Sequence, residues 1–157
     1  MTTALAKFEG YYFPEYKKLM LQKLGFESET TPVRDQLLAG TLQLLADTQV
    51  GYHQFFFEVS QAFKLRWNND LNSILNETEL MPQVVGNSGY QQWLQIYHQA
   101  LSELPEAELN LVESILDRSN PETILLRPQI ESIWEPIAQE NNWQPFNDLL
   151  AKIRAGK

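Results

Sequence analysis

The sequence predicts an all-α fold, a single-domain bundle of about six to eight helices, on three observations. Apolar residues recur at three- and four-residue spacing along most of the chain, and prolines and glycines fall between those stretches. No run of four or more residues alternates cleanly between apolar and polar, as a half-buried strand would. The 157 residues suit one domain, read as an N-terminal segment over 1–10 and a helical domain over 11–155.

Each element follows from its own spacing and caps. Phe13, Tyr16, Met20 and Leu24 define one side of a first helix, which Gly25 stops in a left-handed conformation, with Phe26 placed to fold back on the last turn. Thr31 and Pro32 read as the N-cap and first residue of a second helix, striped by Leu38, Leu42 and Leu45. A third helix follows Gly51, with Tyr52, Phe55, Phe56, Val59 and Phe63 on its stripe. Trp67, Leu71, Ile74 and Leu75 suggest a short helix, and Asn76 to Gly89 reads as the longest loop. Ser88 is the expected cap of a helix that turns Tyr90, Trp93, Leu94, Tyr97 and Leu101 inward. Leu104 and Pro105 end it and open another through Leu109, Val112 and Leu116, followed by a break at 117–121. A helix from Pro128 should turn Ile130, Ile133, Trp134 and Ile137 inward. Pro136 removes its bond to Ser132 and should kink or shorten it. The last helix, near Pro145, should bury Phe146, Leu149, Leu150 and Ile153, with Trp143 at its start.

Composition narrows the function classes. Residues 1–75 carry 8 acidic and 7 basic side chains and residues 76–157 carry 12 and 5, so neither half offers the basic face that nucleic-acid binding needs. No apolar run approaches the ~18 residues needed to cross a bilayer, so no membrane partner is expected. The start of the chain lacks the pattern of a secretory signal, and the expected compartment is the cytoplasm. There are no cysteines, which removes thiolate chemistry and thiolate metal sites. Lys17, Lys18 and Lys23, the only small basic cluster, read as a solvated helix face.

The catalytic inventory is thin, and no catalytic, cofactor-binding or metal-binding residue is assigned. His53 and His98 lie in different helices without a Glu-x-x-His or His-x-x-x-His pairing. No Walker loop, dinucleotide fingerprint or Gly-x-Ser-x-Gly elbow occurs. Glu106 and Glu108 sit in the first turn of a predicted helix, where carboxylates complement the dipole, so they read as structural. The aromatic run is more informative. Phe55 and Phe56 fall in the stripe of the third helix, whereas Phe57 points about 140° from Tyr52, on the side of His53 and Ser60. His53, Phe57 and Ser60 are therefore the candidate interface, against the plainer reading of a central helix buried on two sides.

Three segments resemble the C-terminal helical part of the selenoprotein O family, the YdiU-like proteins. They are Tyr16 to Gly25, with its Lys23-Leu24-Gly25 helix end; Gly51-Tyr52-His53-Gln54-Phe55-Phe56-Phe57; and Asn120-Pro121-Glu122-Thr123-Ile124-Leu125-Leu126-Arg127. Their order and separations match that family from about Tyr11 to Ile153, least across Asn68 to Gly86. The resemblance implies a cytoplasmic bacterial or organellar protein adenylyltransferase whose ATP-binding and catalytic residues lie in an N-terminal kinase-like domain outside this chain. Gly51, Phe57 and Pro128 depart from the family pattern, and Phe57 exchanges a charged guanidinium for apolar area. The expectation is a non-catalytic helical accessory domain acting by contact with a protein partner or by self-association. No cofactor is expected for the chain alone; ATP and Mg²⁺ enter only if it is part of a full-length family member. The alternatives are a fragment of an active adenylyltransferase, moving AMP from ATP to protein hydroxyls, and a small-ligand-binding bundle lined by Trp93, Tyr97 and Trp134.

Overall fold

A computed structural model describes residues 2–27, 31–66 and 82–155. The fold is all-α. Among the described residues, helices of two turns or more are α1 (Thr2–Lys23), α2 (Pro32–Thr48), α3 (Tyr52–Arg66), α5 (Tyr90–Ser102), α7 (Val112–Ser119), α8 (Arg127–Glu140) and α9 (Gln144–Arg154). Single turns α4 (Pro82–Val85) and α6 (Glu106–Leu109) complete the order. None of them is long and apolar enough to cross a membrane. The helix expected over Trp67 to Leu75, and the first part of the loop expected from Asn76 to Gly89, lie outside the described residues; the described part is not all loop, since Pro82–Val85 forms the single turn α4. The chain divides into two compact units, Met1–Asn120 and Pro121–Lys157.

The larger unit holds the core. Helix α1 ends in the expected Schellman turn: Phe26 N–H bonds Leu21 O at 3.0 Å, Gly25 N–H bonds Gln22 O at 3.0 Å, and Gly25 sits at φ +90°. Phe26 is buried beside Leu21 and Leu24. The helix starts as early as Thr2 and carries Pro14 inside it, so Gly10 O receives no bond from that residue. Thr31 caps α2 by accepting from Arg34 N–H at 3.3 Å, with Pro32 at the first helical position. Helix α2 packs mainly on α5, α1 on α7 and α2, and α3 on α7.

The buried face of α2 is rotated from the expected one. Leu37, Leu38, Thr41 and Leu44 are buried, Leu45 is half-buried and Leu42 is exposed. A threonine can take a core position because its hydroxyl is satisfied twice: it donates to Leu37 O at 2.8 Å and accepts from Trp93 Nε1 at 2.8 Å. Helix α5 buries the residues expected of it, Tyr90, Trp93, Leu94, Tyr97 and Leu101. Ser88 is not its cap. Asn87 Oδ1 accepts from Gly89 N–H at 2.8 Å in a local turn, and α5 begins at Tyr90 without a side-chain cap. The stretch expected as one helix from Pro105 through Leu116 is two, because Leu111 N–H bonds Glu108 O at 2.9 Å in a tightened turn at the poor helix former Asn110.

The smaller unit is a pair of helices joined at 141–143. Helix α8 starts at Arg127, one residue before the expected Pro128, and runs through Pro136 to Glu140 without shortening. Only the one bond to Ser132 is lost there, and one turn follows before Asn141, at φ +52°, closes the helix by bonding Ile137 O at 3.1 Å.

Candidate interaction surfaces

Two helices laid side by side bury only part of two apolar stripes, and the smaller unit shows the remainder. On α8, Ile130, Ile133, Trp134 and Ile137 fall within one arc of about 100°; on α9, Phe146, Leu149, Leu150 and Ile153 do the same. Ile133, Ile137, Leu149 and Leu150 are half-buried, while Trp134 is 65% exposed and Ile130, Phe146 and Ile153 are exposed with it. No residue of either helix is fully buried. The inward placement expected of these stripes is thus corrected: periodicity identified the faces, and a pair of helices cannot cover them. Leu125, Leu126 and Trp143 extend the exposed apolar set. The carboxylates nearby are ordinary surface partners, Glu131 with Arg127 Nε at 2.7 Å and Glu135 with Gln139 at 3.1 Å.

A second exposed set lies on the N-terminal half of α1. Phe8 stacks on Tyr12 with ring centroids 5.3 Å apart, Tyr12 on Tyr16 at 5.9 Å, and Phe13 meets Tyr12 edge-on. Phe8, Tyr11, Tyr12 and Phe13 are exposed, so the side of α1 defined by Phe13, Tyr16, Met20 and Leu24 is covered only toward its C-terminal end. The ladder descends to a cleft between α1, α3 and α7, about 500 Å³ in volume, lined by Tyr16, Leu19, Met20, Lys23, Tyr52 and Arg118 among others.

Lys23 lies in this cleft and is not the solvated side chain the sequence suggested. Its ammonium donates to Ser119 O at 2.9 Å and more loosely to Asn120 Oδ1 at 3.5 Å, and stands over the Tyr52 and Phe56 rings. Burial lowers its pKa. Buried Asn120 in turn donates to Lys23 O at 3.0 Å, tying the last turn of α1 to the end of α7. Burial, and next the neighbouring Tyr12, raises the Tyr16 pKa; burial, and next Tyr16, raises that of Tyr52. Lys17 and Lys18 behave as expected of a helix surface, paired with Asp35 at 2.9 Å and Glu15 at 3.9 Å. The signal that could have marked Lys23 was its place two residues before the helix-stopping glycine, where its side chain reaches the end of a neighbouring helix.

The three residues put forward as an interface are separated by burial. His53 is exposed, Phe57 is half-buried, and Ser60 is buried in α3 beside the core residues Phe55, Phe56, Val59 and Phe63. His53 meets Tyr52 edge-on at 5.2 Å. The three proposed ligand-cage residues fall in different units: Trp93 and Tyr97 stack at 5.3 Å within the larger core, whereas Trp134 belongs to the smaller unit.

Among the described residues, two buried polar atoms of the larger unit have no hydrogen-bond partner, Tyr97 Oη and His98 Nε2. Burial pushes the Tyr97 pKa up, so the hydroxyl stays protonated and desolvated. Tyr97→Phe should therefore leave stability unchanged or raise it by about 1 kcal/mol, since the cost of an unmade hydrogen bond is removed with the oxygen. Urea denaturation with an unaltered slope checks this. A fall in the midpoint would mean that the hydroxyl has a partner in solution.

The family model of "Protein adenylyltransferase SelO" matches residues 1–154. Among curated relatives, the protein nucleotidyltransferase YdiU of Trichormus variabilis is 42% identical over 155 residues, covering 99% of this chain and 32% of the relative. That of Trichodesmium erythraeum is 40% identical over 153 residues, covering 98% and 31%. That of Synechococcus elongatus is 37% identical over 161 residues, covering 98% and 32%. The chain thus spans about a third of the length of these relatives. No solved structure matches it.

Proposed function

We propose, since the chain belongs to the family of the protein adenylyltransferase SelO, that it acts as the helical accessory portion of such a protein. In this reading the transfer of AMP from ATP to protein hydroxyls, with its ATP and Mg²⁺, is the work of the other two thirds of the family's length. The observation that carries it is the exposed apolar stripe of α8 and α9, centred on Trp134. Exposed apolar stripes on two paired helices favour a surface that another chain segment covers, and the relatives carry that additional chain. The exposed aromatics of α1 support the same reading.

The test is an exchange. The Trichormus variabilis relative is prepared intact, with its matching third deleted, and with that third replaced by this chain. Labelling of protein by ATP-derived AMP and cooperative melting are followed for each. Deletion is expected to abolish labelling or the cooperative melt, and the exchange to restore both, while this chain alone binds no ATP. Saturable ATP binding by the isolated chain at micromolar affinity would overturn the accessory role.

A further inference from the structure

The cleft between α1, α3 and α7 holds a positive charge that no carboxylate among the described residues neutralises. Lys17, Lys18 and Arg118 each have an acid partner, Arg118 pairing with Glu27 at 2.7 Å. Lys23 has a backbone carbonyl, a distant amide oxygen and two ring faces. These satisfy hydrogen-bonding directions and supply partial charge, but they leave the full charge of a half-desolvated ammonium without a counter-ion. In a chain of net charge −8 it offers a carboxylate attraction where much of the surface offers repulsion. Beside it the wall combines the polar Gln22, Arg118 and Ser119 with an open apolar side made by Leu19, 57% exposed, Met20 and the Tyr16 ring. The stacked ladder of Phe8, Tyr12 and Tyr16 leads into the cleft, a run of apolar surface longer than a small ion fills.

We infer that this cleft seats a segment of the longer protein's remaining chain, one that presents an Asp or Glu carboxylate to Lys23 and an apolar side chain to Leu19 and the Tyr16 ring. The inference rests on the reading of the chain as one portion of such a protein. It assigns Lys23 a role across an interface in addition to its bonds within the chain. A docked carboxylate favours the charged amine, and each unit by which it raises the pKa lowers the free-amine fraction about tenfold.

The measurement is the rate at which acetic anhydride modifies Lys23, with Lys17 and Lys18 as internal references. It is made on this chain alone and on the Trichormus variabilis relative carrying this chain in place of its own third; the same exchange into the Trichodesmium erythraeum relative gives a second scaffold. Lys23 should react about tenfold more slowly in the exchanged proteins, and Leu19→Asn, an uncharged polar change at an exposed position, should return it to the rate of the isolated chain. An unchanged Lys23 rate in both scaffolds overturns the inference, as does saturable protection of the isolated chain by inorganic phosphate, which would make the cleft a small-anion site. Oxidative footprinting of Trp134 in the same samples separates the two readings. Protection of Trp134 with Lys23 unprotected sinks the seat and leaves the accessory role standing, whereas exposure of both sinks the accessory role.

Discussion

Trp93→Ala is expected to lower the stability of the larger unit by about 3–5 kcal/mol, a large share of what an ordinary domain possesses. Trp93 is 2% exposed and lies where α2, α3 and α5 meet. Its ring stacks on Tyr97 at 5.3 Å and on Tyr90 at 6.1 Å, and meets Phe55 edge-on at 5.7 Å. Its Nε1–H is bonded to Thr41, so truncation removes packing and hydrogen bond together. Trp93→Phe separates the two, because Thr41 keeps its bond to Leu37 O and only the smaller ring and the lost N–H contact are felt. Denaturant unfolding of both variants should place Trp93→Phe between wild type and Trp93→Ala. Equal stability of Trp93→Ala and wild type would mean that α5 does not pack on α2 as described.

Gly25→Ala is expected to cost about 2–4 kcal/mol, from two terms that add. The residue sits at φ +90°, where a Cβ is strained, and that Cβ would stand 2.7 Å from Val112 Cγ1 and 3.2 Å from Leu116 Cγ. Both neighbours are themselves buried, so neither yields freely. Gly40→Ala is the control of opposite sign. Gly40 lies within α2 at ordinary φ, its added Cβ would meet Trp93 Cδ1 at a comfortable 3.5 Å, and the helix should gain about 0.5–1 kcal/mol. Thermal melts of the two variants should move in opposite directions; movement in the same direction would refute the left-handed turn at the end of α1.

What could be read from the residues divides along a physical line. Features set by local geometry were legible: Gly25 as a left-handed stop, Thr31 and Pro32 as a helix start, the stripe of α5. Each of these depends on a few neighbouring residues and on backbone constraints that apply in any context. Features set by a distant partner were not. Thr41 counts as polar until Trp93, far along the chain, supplies its second hydrogen bond. Lys23 counts as a surface cation until the end of α7 arrives beneath it. The stripes of α8 and α9 were read correctly as apolar, but whether an apolar stripe is covered depends on what else is present to cover it. The family resemblance, by contrast, lay in three short segments that meet in the structure at Lys23: near the end of the first, it stands over the Tyr52 and Phe56 rings of the second and exchanges hydrogen bonds with Asn120 at the head of the third.

The unequal surroundings of the tryptophans have an optical consequence. Trp93 is enclosed by tyrosine rings, so excitation of Tyr90 and Tyr97 should pass to it efficiently and its emission should lie toward the blue. Trp134 and Trp143 stand in water, and their emission should lie toward the red and dominate under red-edge excitation. With Trp67 replaced by Phe, the intrinsic fluorescence resolves into one colour for each compact unit. Their unfolding can then be followed separately in a single unlabelled sample.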